Sequence, residues 1–340
     1  MIKEAILKVI EGKNLTCEEA AFTADTIMRG EANQTQIASL LTALRIKGET
    51  VDEIVGFAKQ MIAHAVKIKP NAGNLVDTCG TGGDVSHTFN ISTVSALVAA
   101  GAQVKIAKHG NRSVSSKCGS ADLLEALGVK IDLSPERVAK CIDDLGFGFI
   151  YAPNFHPAMK HAGPVRREIG FRTIFNVLGP LTNPAGAARQ VLGVYSEKLT
   201  DIMAKVLLKL GVKHALVVYG MDGLDEISIS DKTKISEVIG GKIKNYYVKP
   251  EDFGIKKAKR ERITAGNVEQ SKSIALDILE QHTKCPALDV VLLNAGAAIY
   301  ISGLAKSIKE GIKLAEESII LGEAFKKLEA LRKGTGDTPH

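Results

Sequence analysis

The sequence predicts an α/β protein, with a small all-helical N-terminal unit at residues 1–70 and a larger α/β unit at 71–340 built on a mostly parallel central sheet. Three observations predict it. Apolar residues in the first 70 positions recur at helical spacing with no strand pattern, and Lys69-Pro70-Asn71-Ala72-Gly73 has linker composition. Beyond it, short β-rich runs alternate with helical ones, as expected of a covered parallel sheet. The chain's 340 residues also exceed the roughly 250–300 at which single cores stop growing. Helices around 165–185 are expected to join the first unit.

Thr16-Cys17-Glu18-Glu19 is a capping box, followed by Ala20, Ala24, Ile27 and Met28 on one face and stopped at Gly30. The run 36–47 puts Ile37, Leu40, Leu41 and Leu44 on one face before Gly48, and 51–66 repeats the pattern with Ile54, Val55, Ala58 and Ile62. Strands are expected at 75–78, 104–107, 147–151, 190–195, 215–219 and 290–293. Ser134-Pro135-Glu136 opens a helix with proline at its first position, and Gly146 closes it. Residues 235–239 and 242–248 flank Gly240-Gly241 as a hairpin would. The apolar stretch 287–305 is interrupted by Asp289, Asn294, Ser302 and two glycines, so it reads as a buried strand, a turn and a helix start rather than a membrane span. The tail from Lys333 to His340 reads as frayed.

Composition bounds the function. Apolar residues are 45%, charged residues 24% and aromatics 5%, an ordinary folded protein. The net charge of +6 comes from Lys and Arg interleaved with acids, as in Lys256-Lys257-Ala258-Lys259-Arg260-Glu261-Arg262. Without aromatics between the charges this is a solvated face rather than a nucleic-acid surface, and a small polyanionic substrate fits the charge. Cys17, Cys79, Cys118, Cys141 and Cys285 are scattered, with no C-x-x-C pair, which speaks against disulfides and structural zinc. Met1-Ile2-Lys3-Glu4 does not resemble a secretory signal, so a cytoplasmic location and no membrane partner are expected.

Three loops carry chemistry. In Asp77-Thr78-Cys79-Gly80-Thr81-Gly82-Gly83-Asp84, three glycines between an apolar strand and a helix let backbone N–H groups converge on an anion, and the helix N-terminus adds partial positive charge. The loop matches neither a Walker A sequence nor G-x-G-x-x-G, which argues against nucleotide hydrolysis and dinucleotide binding. A tight turn alone would explain the glycines, but Phe89-Asn90-Ile91-Ser92-Thr93 adds an amide and two hydroxyls at the helix start, more than one cap needs. Lys108-His109-Gly110-Asn111-Arg112-Ser113-Val114-Ser115-Ser116-Lys117 gathers cations, an amide and hydroxyls on a loop at a strand's C-terminal end, where ligands of open α/β sheets bind. Asp222-Gly223-Leu224-Asp225-Glu226 offers hard oxygen ligands suited to magnesium. Asp225 and Glu226 can serve one site only in a turn, or by each holding a different ion. Read alone, Arg166 and Arg167 lie on the exposed face of a helix, and His87, His109 and His156 pack or hydrogen-bond rather than act as a general base.

These loops, with 15–50, His156-Pro157-Ala158-Met159-Lys160 and the run Phe171-Arg172-Thr173-Ile174-Phe175-Asn176-Val177-Leu178-Gly179-Pro180-Leu181-Thr182-Asn183-Pro184, closely resemble the anthranilate phosphoribosyltransferase family over nearly the whole chain. Cys118 and Val85-Ser86-His87 fall at positions that vary in that family. The resemblance implies a nucleoside phosphorylase/phosphoribosyltransferase-like fold. It implies transfer of the phosphoribosyl group of phosphoribosyl diphosphate (PRPP) to anthranilate, in tryptophan biosynthesis, by a homodimer joined through the helical unit. It further implies that Gly80, Gly83, Asp84, Thr88, Asn90, Ile91, Ser92, Thr93, Lys108, His109, Gly110, Asn111, Arg112, Ser113, Val114, Ser115, Ser116 and Ser120 contact the donor. Gly80, Asn111 and Arg166 would meet anthranilate. Ser92, Asp225 and Glu226 would hold magnesium, two ions per site, with no protein nucleophile. A pyrimidine nucleoside phosphorylase has a similar fold and a related glycine loop but needs no magnesium pair, and the Asp225-Glu226 turn argues against it. A nucleic-acid-binding relative without transferase activity is opposed by the mixed charges and intact loops.

Overall fold

The computed structural model describes residues 2–82, 87–113, 117–281 and 284–336. Four helices come first: α1 (Ile2–Ile10), α2 (Cys17–Met28), α3 (Gln34–Lys47) and α4 (Val51–Ala63). Reciprocal capping boxes start the last three, at Thr16 with Glu19, Asn33 with Gln36, and Thr50 with Glu53. Asn33 moves the start of α3 two residues ahead of the apolar pattern. α4 stops short of the expected 66 because the Val66 N–H turns away to the Phe155 carbonyl (2.9 Å).

β1 (Val76–Gly80), α5 (Ile91–Gly101), β2 (Ile106–Gly110), α6 (Ser120–Ala126), α7 (Pro135–Lys140) and β3 (Phe147–Tyr151) follow. Then come the short helices α8 (Ala152–Phe155), α9 (Gly163–Ile169) and α10 (Phe175–Leu178), β4 (Arg189–Gly193), α11 (Glu197–Lys209) and β5 (His214–Gly220). The hairpin β6 (Thr233–Ile239) and β7 (Lys242–Val248) turns at Gly240-Gly241, both at positive φ. α12 (Val268–Leu276), α13 (Pro286–Ser302), α14 (Ile308–Ile320) and α15 (Glu323–Thr335) end the chain.

The strands form one sheet in the order β3-β2-β1-β4-β5-β6-β7, parallel from β3 to β5 and antiparallel across β5-β6-β7. Alternate side chains serve opposite faces. Val191, Leu216 and Val218 join the core formed with α5 and α12–α15, whereas Leu192, Ala215 and Val217 face a second core. That second core unites α1–α4 with α11 and with Val165, Phe175, Leu178 and Leu181. The N-terminal helices therefore share one core with this sheet face, with α4 packed on α11, which itself lies against β5 and β6.

One expected strand is absent. Residues 290–293 lie inside α13, a 17-residue helix opened by Pro286. Thirteen of its residues are buried, so no polar face breaks the apolar run and its period cannot distinguish helix from strand. Among the described residues, no helix is long and apolar enough to cross a membrane.

Backbone proximity fixes how α14 seats on α13: a methyl group added at Gly311 would lie 2.2 Å from the Gly296 carbonyl oxygen. Gly311→Ala is expected to destabilise the protein by about 1–3 kcal/mol, the usual cost of overpacking. It would appear as a lower urea midpoint with the wild-type slope.

Candidate functional site

The three loops meet where a parallel sheet presents its ligand edge, beyond the C-terminal ends of β1, β2, β4 and β5. β1 and β4 end side by side, Gly80 paired with Gly193. The acidic turn closes down on that pair. A methyl group at Gly193 would lie only 1.6 Å from the Asp225 carbonyl oxygen, so that position requires glycine, and one at Gly80 would lie 2.5 Å from Asp225 Oδ2 and displace the carboxylate.

Asp225 and Glu226 lie in an irregular turn and reach different elements. Asp225 Oδ2 accepts the Gly82 N–H of the glycine loop (3.1 Å), and Glu226 Oε1 accepts the Ser92 N–H in the first turn of α5 (3.1 Å). Negative charge at a helix N-terminus is where the dipole and unpaired N–H groups favour it. The loop is further tied to β4, the Thr81 N–H to the Gly193 carbonyl (2.9 Å) and the Tyr195 N–H to Thr81 Oγ1 (3.2 Å).

Lys108 supplies the positive charge. It is 1% exposed, and its ammonium donates to the Thr78 carbonyl, to Thr78 Oγ1 (3.4 Å) and to Ser92 Oγ (3.3 Å). Burial pulls its pKa down, while Asp77, Cys79 and Glu226 pull it back up. Burial pushes Asp77 up to about 6, against the opposing pull of Lys108, and raises the Cys79 thiol well above its usual value.

Other candidates fall as follows. Gly110 ends β2, and Ile91 and Thr93 are buried in the first turn of α5, Thr93 Oγ1 without a hydrogen-bond partner. The Asn90 side chain does not cap that helix; it donates to the Cys118 carbonyl (3.0 Å) and accepts from Ser271 Oγ (2.7 Å). Thr88 pairs with Thr264, and the flanking Phe89 and Ala265 N–H groups bond to Ile263 and His87. Ser120 Oγ donates to the Asn111 carbonyl (3.2 Å), and Asn111 Oδ1 accepts the Arg112 N–H (2.7 Å). Arg112 is paired with Asp122 and Glu125, and the Ser113 N–H with Asp122. Gly83, Asp84, Val114, Ser115 and Ser116 lie outside the described residues.

Arg166 departs from the reading of its local sequence. Arg167 is exposed, but Arg166 is half-buried on α9 with its guanidinium 5.4 Å from the centre of the Phe175 ring. The strap 263–265, which holds the exit of the glycine loop through backbone hydrogen bonds, and Ser271, which holds Asn90, were not legible in the sequence, because a backbone pairing or a single hydroxyl so far along the chain carries no local signal.

The His109 and His156 rings pack with centres 5.1 Å apart, tilted by 49°. His109 Nδ1 meets the Gly179 carbonyl (3.1 Å), and Nε2 of each ring is buried without a partner. Burial pulls His109 down to about 3 and His156 to about 4. Both are neutral at neutral pH and poorly matched to general-base duty.

The gathered donors are hard oxygens: two carboxylates and the Ser92 hydroxyl. Among the described residues, no three His, Cys, Asp or Glu side chains form a metal cage of their own. Two carboxylates beside an anion cradle instead suit magnesium, which completes its shell with substrate phosphates and water.

The chain matches known domain families. Residues 72–325 fit the a/b domain of a glycosyl transferase family and residues 3–65 its helical bundle domain. The anthranilate phosphoribosyltransferase of Acetivibrio thermocellus is 55% identical over 97% of this chain and 95% of its own. The chain belongs to the anthranilate phosphoribosyltransferase family. Within it, the crystal structure of the Thermus thermophilus member superposes with a TM-score of 0.93 at 44% identity, covering 97% of this chain and 99% of that one. The Saccharomyces cerevisiae member, solved in complex with PRPP and Mg, superposes with a TM-score of 0.90 at 30% identity, covering 98% and 97%.

The buried histidines give a pH dependence. Their folded values lie below the ordinary ~6.5, so as pH falls from about 6.5 to 4 the unfolded chain takes up protons the folded chain refuses, and stability drops. Asp77, raised to about 6, acts in the opposite sense: its contribution is present at low pH and is lost as pH rises through 6. Two histidines outweigh one carboxyl, so the urea midpoint is expected to fall over this window. In a His109→Asn, His156→Gln variant the fall is expected to flatten.

Proposed function

We propose that this chain transfers the 5-phosphoribosyl group of PRPP to the amine of anthranilate, giving N-(5-phosphoribosyl)anthranilate and diphosphate, in tryptophan biosynthesis. The observation that carries the reading is the seating of the Asp225-Glu226 turn on the N–H groups of Gly82 and Ser92, beside the buried Lys108. The donor would lie across Gly80, Gly83, Asp84, Thr88, Asn90 to Thr93, Lys108 to Ser116 and Ser120. Arg112 would have to exchange its ion pairs with Asp122 and Glu125, a small cost for partly exposed pairs.

Ser92, Asp225 and Glu226 would hold magnesium, two ions per site. When bound, magnesium adds positive charge against the phosphate oxygens. The chain's own part is electrostatic and positional. Lys108 and the loop N–H groups stabilise the charge that grows on the diphosphate as the bond to the ribosyl carbon breaks. Gly80, Asn111 and Arg166 hold anthranilate so that its amine attacks from the opposite face, with the guanidinium suited to the carboxylate. The amine proton passes to solvent, and no protein nucleophile takes part. The neutral histidines are consistent with that.

Residues 1–70 with the helices around 165–185 are read as one unit that supplies a homodimer surface, and 71–340 as the donor-binding unit. The location is read as cytoplasmic.

Loss of anthranilate fluorescence with PRPP tests the reading. Turnover is expected with magnesium and none after chelation; no turnover under either condition would overturn it. Arg166→Met is expected to raise the KM for anthranilate about tenfold or more, with the KM for PRPP changed far less. Equal changes in both constants would remove Arg166 from the acceptor site.

A further inference from the structure

The seam between β1 and β2 is held differently from its neighbours. β1 pairs with β4 at five positions, but with β2 at Val76 and Ile106 alone. Beyond that point the backbone groups of β2 that face β1 are met by side chains. Asp77 Oδ1 accepts the His109 N–H (3.2 Å), and Asn183 Nδ2 donates both to the Ala107 carbonyl (2.8 Å) and to Asp77 Oδ2 (2.9 Å). Asn183 Oδ1 in turn accepts the Ala185 N–H (2.9 Å).

Asp77 is 0% exposed. Placing a carboxylate there costs desolvation that a continued backbone ladder would have avoided. What the carboxylate and its amide partner provide is a junction of three segments: β1 running into Gly80, β2 carrying Lys108 and His109, and the turn after α10, whose Gly179 carbonyl meets His109. Lys108 bridges the same seam from the other side, through the Thr78 carbonyl. The two strand ends that present the donor loops are thus set apart by side chains and locked at that separation.

We propose that Asp77 is a positioning residue for the transfer: with Asn183 it forms a latch that fixes the end of β2, and so Lys108, against the glycine loop in the spacing that holds the donor's diphosphate. The proposal rests on the transferase reading above and gives that site a determinant outside its ligand contacts.

The test is steady-state kinetics of the full-length chain at saturating magnesium, with Asp77→Asn and Asn183→Ala beside wild type and thermal melting of each. Both variants are expected to raise the KM for PRPP about tenfold, with the KM for anthranilate within about threefold. Simple loss of folded protein would lower kcat and leave both constants alone. If Asp77→Asn does not fold, Asn183→Ala decides. A KM for PRPP within twofold of wild type in the folded variants, or both constants rising together, would overturn the latch. A wild-type chain without turnover would overturn the transferase reading instead. The latch is then read from PRPP affinity by calorimetry, where the same variants must weaken binding about tenfold and an unchanged affinity would overturn it.

Discussion

The site depends on one close approach. The acidic turn can settle on the ends of β1 and β4 because Gly193 has no side chain to meet the Asp225 backbone, and Gly80, paired with it, leaves room for the Asp225 carboxylate. Once seated, its two carboxylates bond to two different elements, the glycine loop and the first turn of α5. Those N–H groups are thereby engaged by the turn's own carboxylates, so the turn fixes the glycine loop and the start of α5 against each other and brings the oxygen ligands that a cation would use to the same place.

The second requirement is a buried positive charge that stays in place. Lys108 has almost no exposure, and fixed partners surround it: the Thr78 carbonyl, Ser92, and the nearby carboxylates of Asp77 and Glu226. A buried ammonium without such company would be costly, so the cluster has to be assembled as a unit. The sheet provides the rigidity. Its two faces bury separate cores, one against α5 and α12–α15 and the other against the N-terminal helices and α11, so the strand ends that present Gly80, Lys108 and Gly193 are held from both sides.

Much of this was readable from the chain. The capping box at Thr16, the hairpin at Gly240-Gly241 and the five parallel strands have local signatures, and the three loops stand out by the density of glycine, cations and acids. α13 was not readable, because a helix buried on every side loses the polar face that would reveal its period. Arg166 took its role from family resemblance alone; its local sequence suggests a solvated arginine. Asp77 with Asn183, and Thr88 with Thr264, are pairings across 106 and more residues, and only the fold brings such partners together.

The acidic turn as organiser of the donor site is best tested by calorimetry on a variant that keeps its shape and removes its charge, Asp225→Asn with Glu226→Gln. PRPP is titrated into it with and without magnesium. Wild type should bind PRPP more tightly with magnesium present, and the variant should lose that enhancement while melting at the wild-type temperature. A variant that still binds PRPP with wild-type affinity and wild-type magnesium dependence would contradict the assignment of the turn.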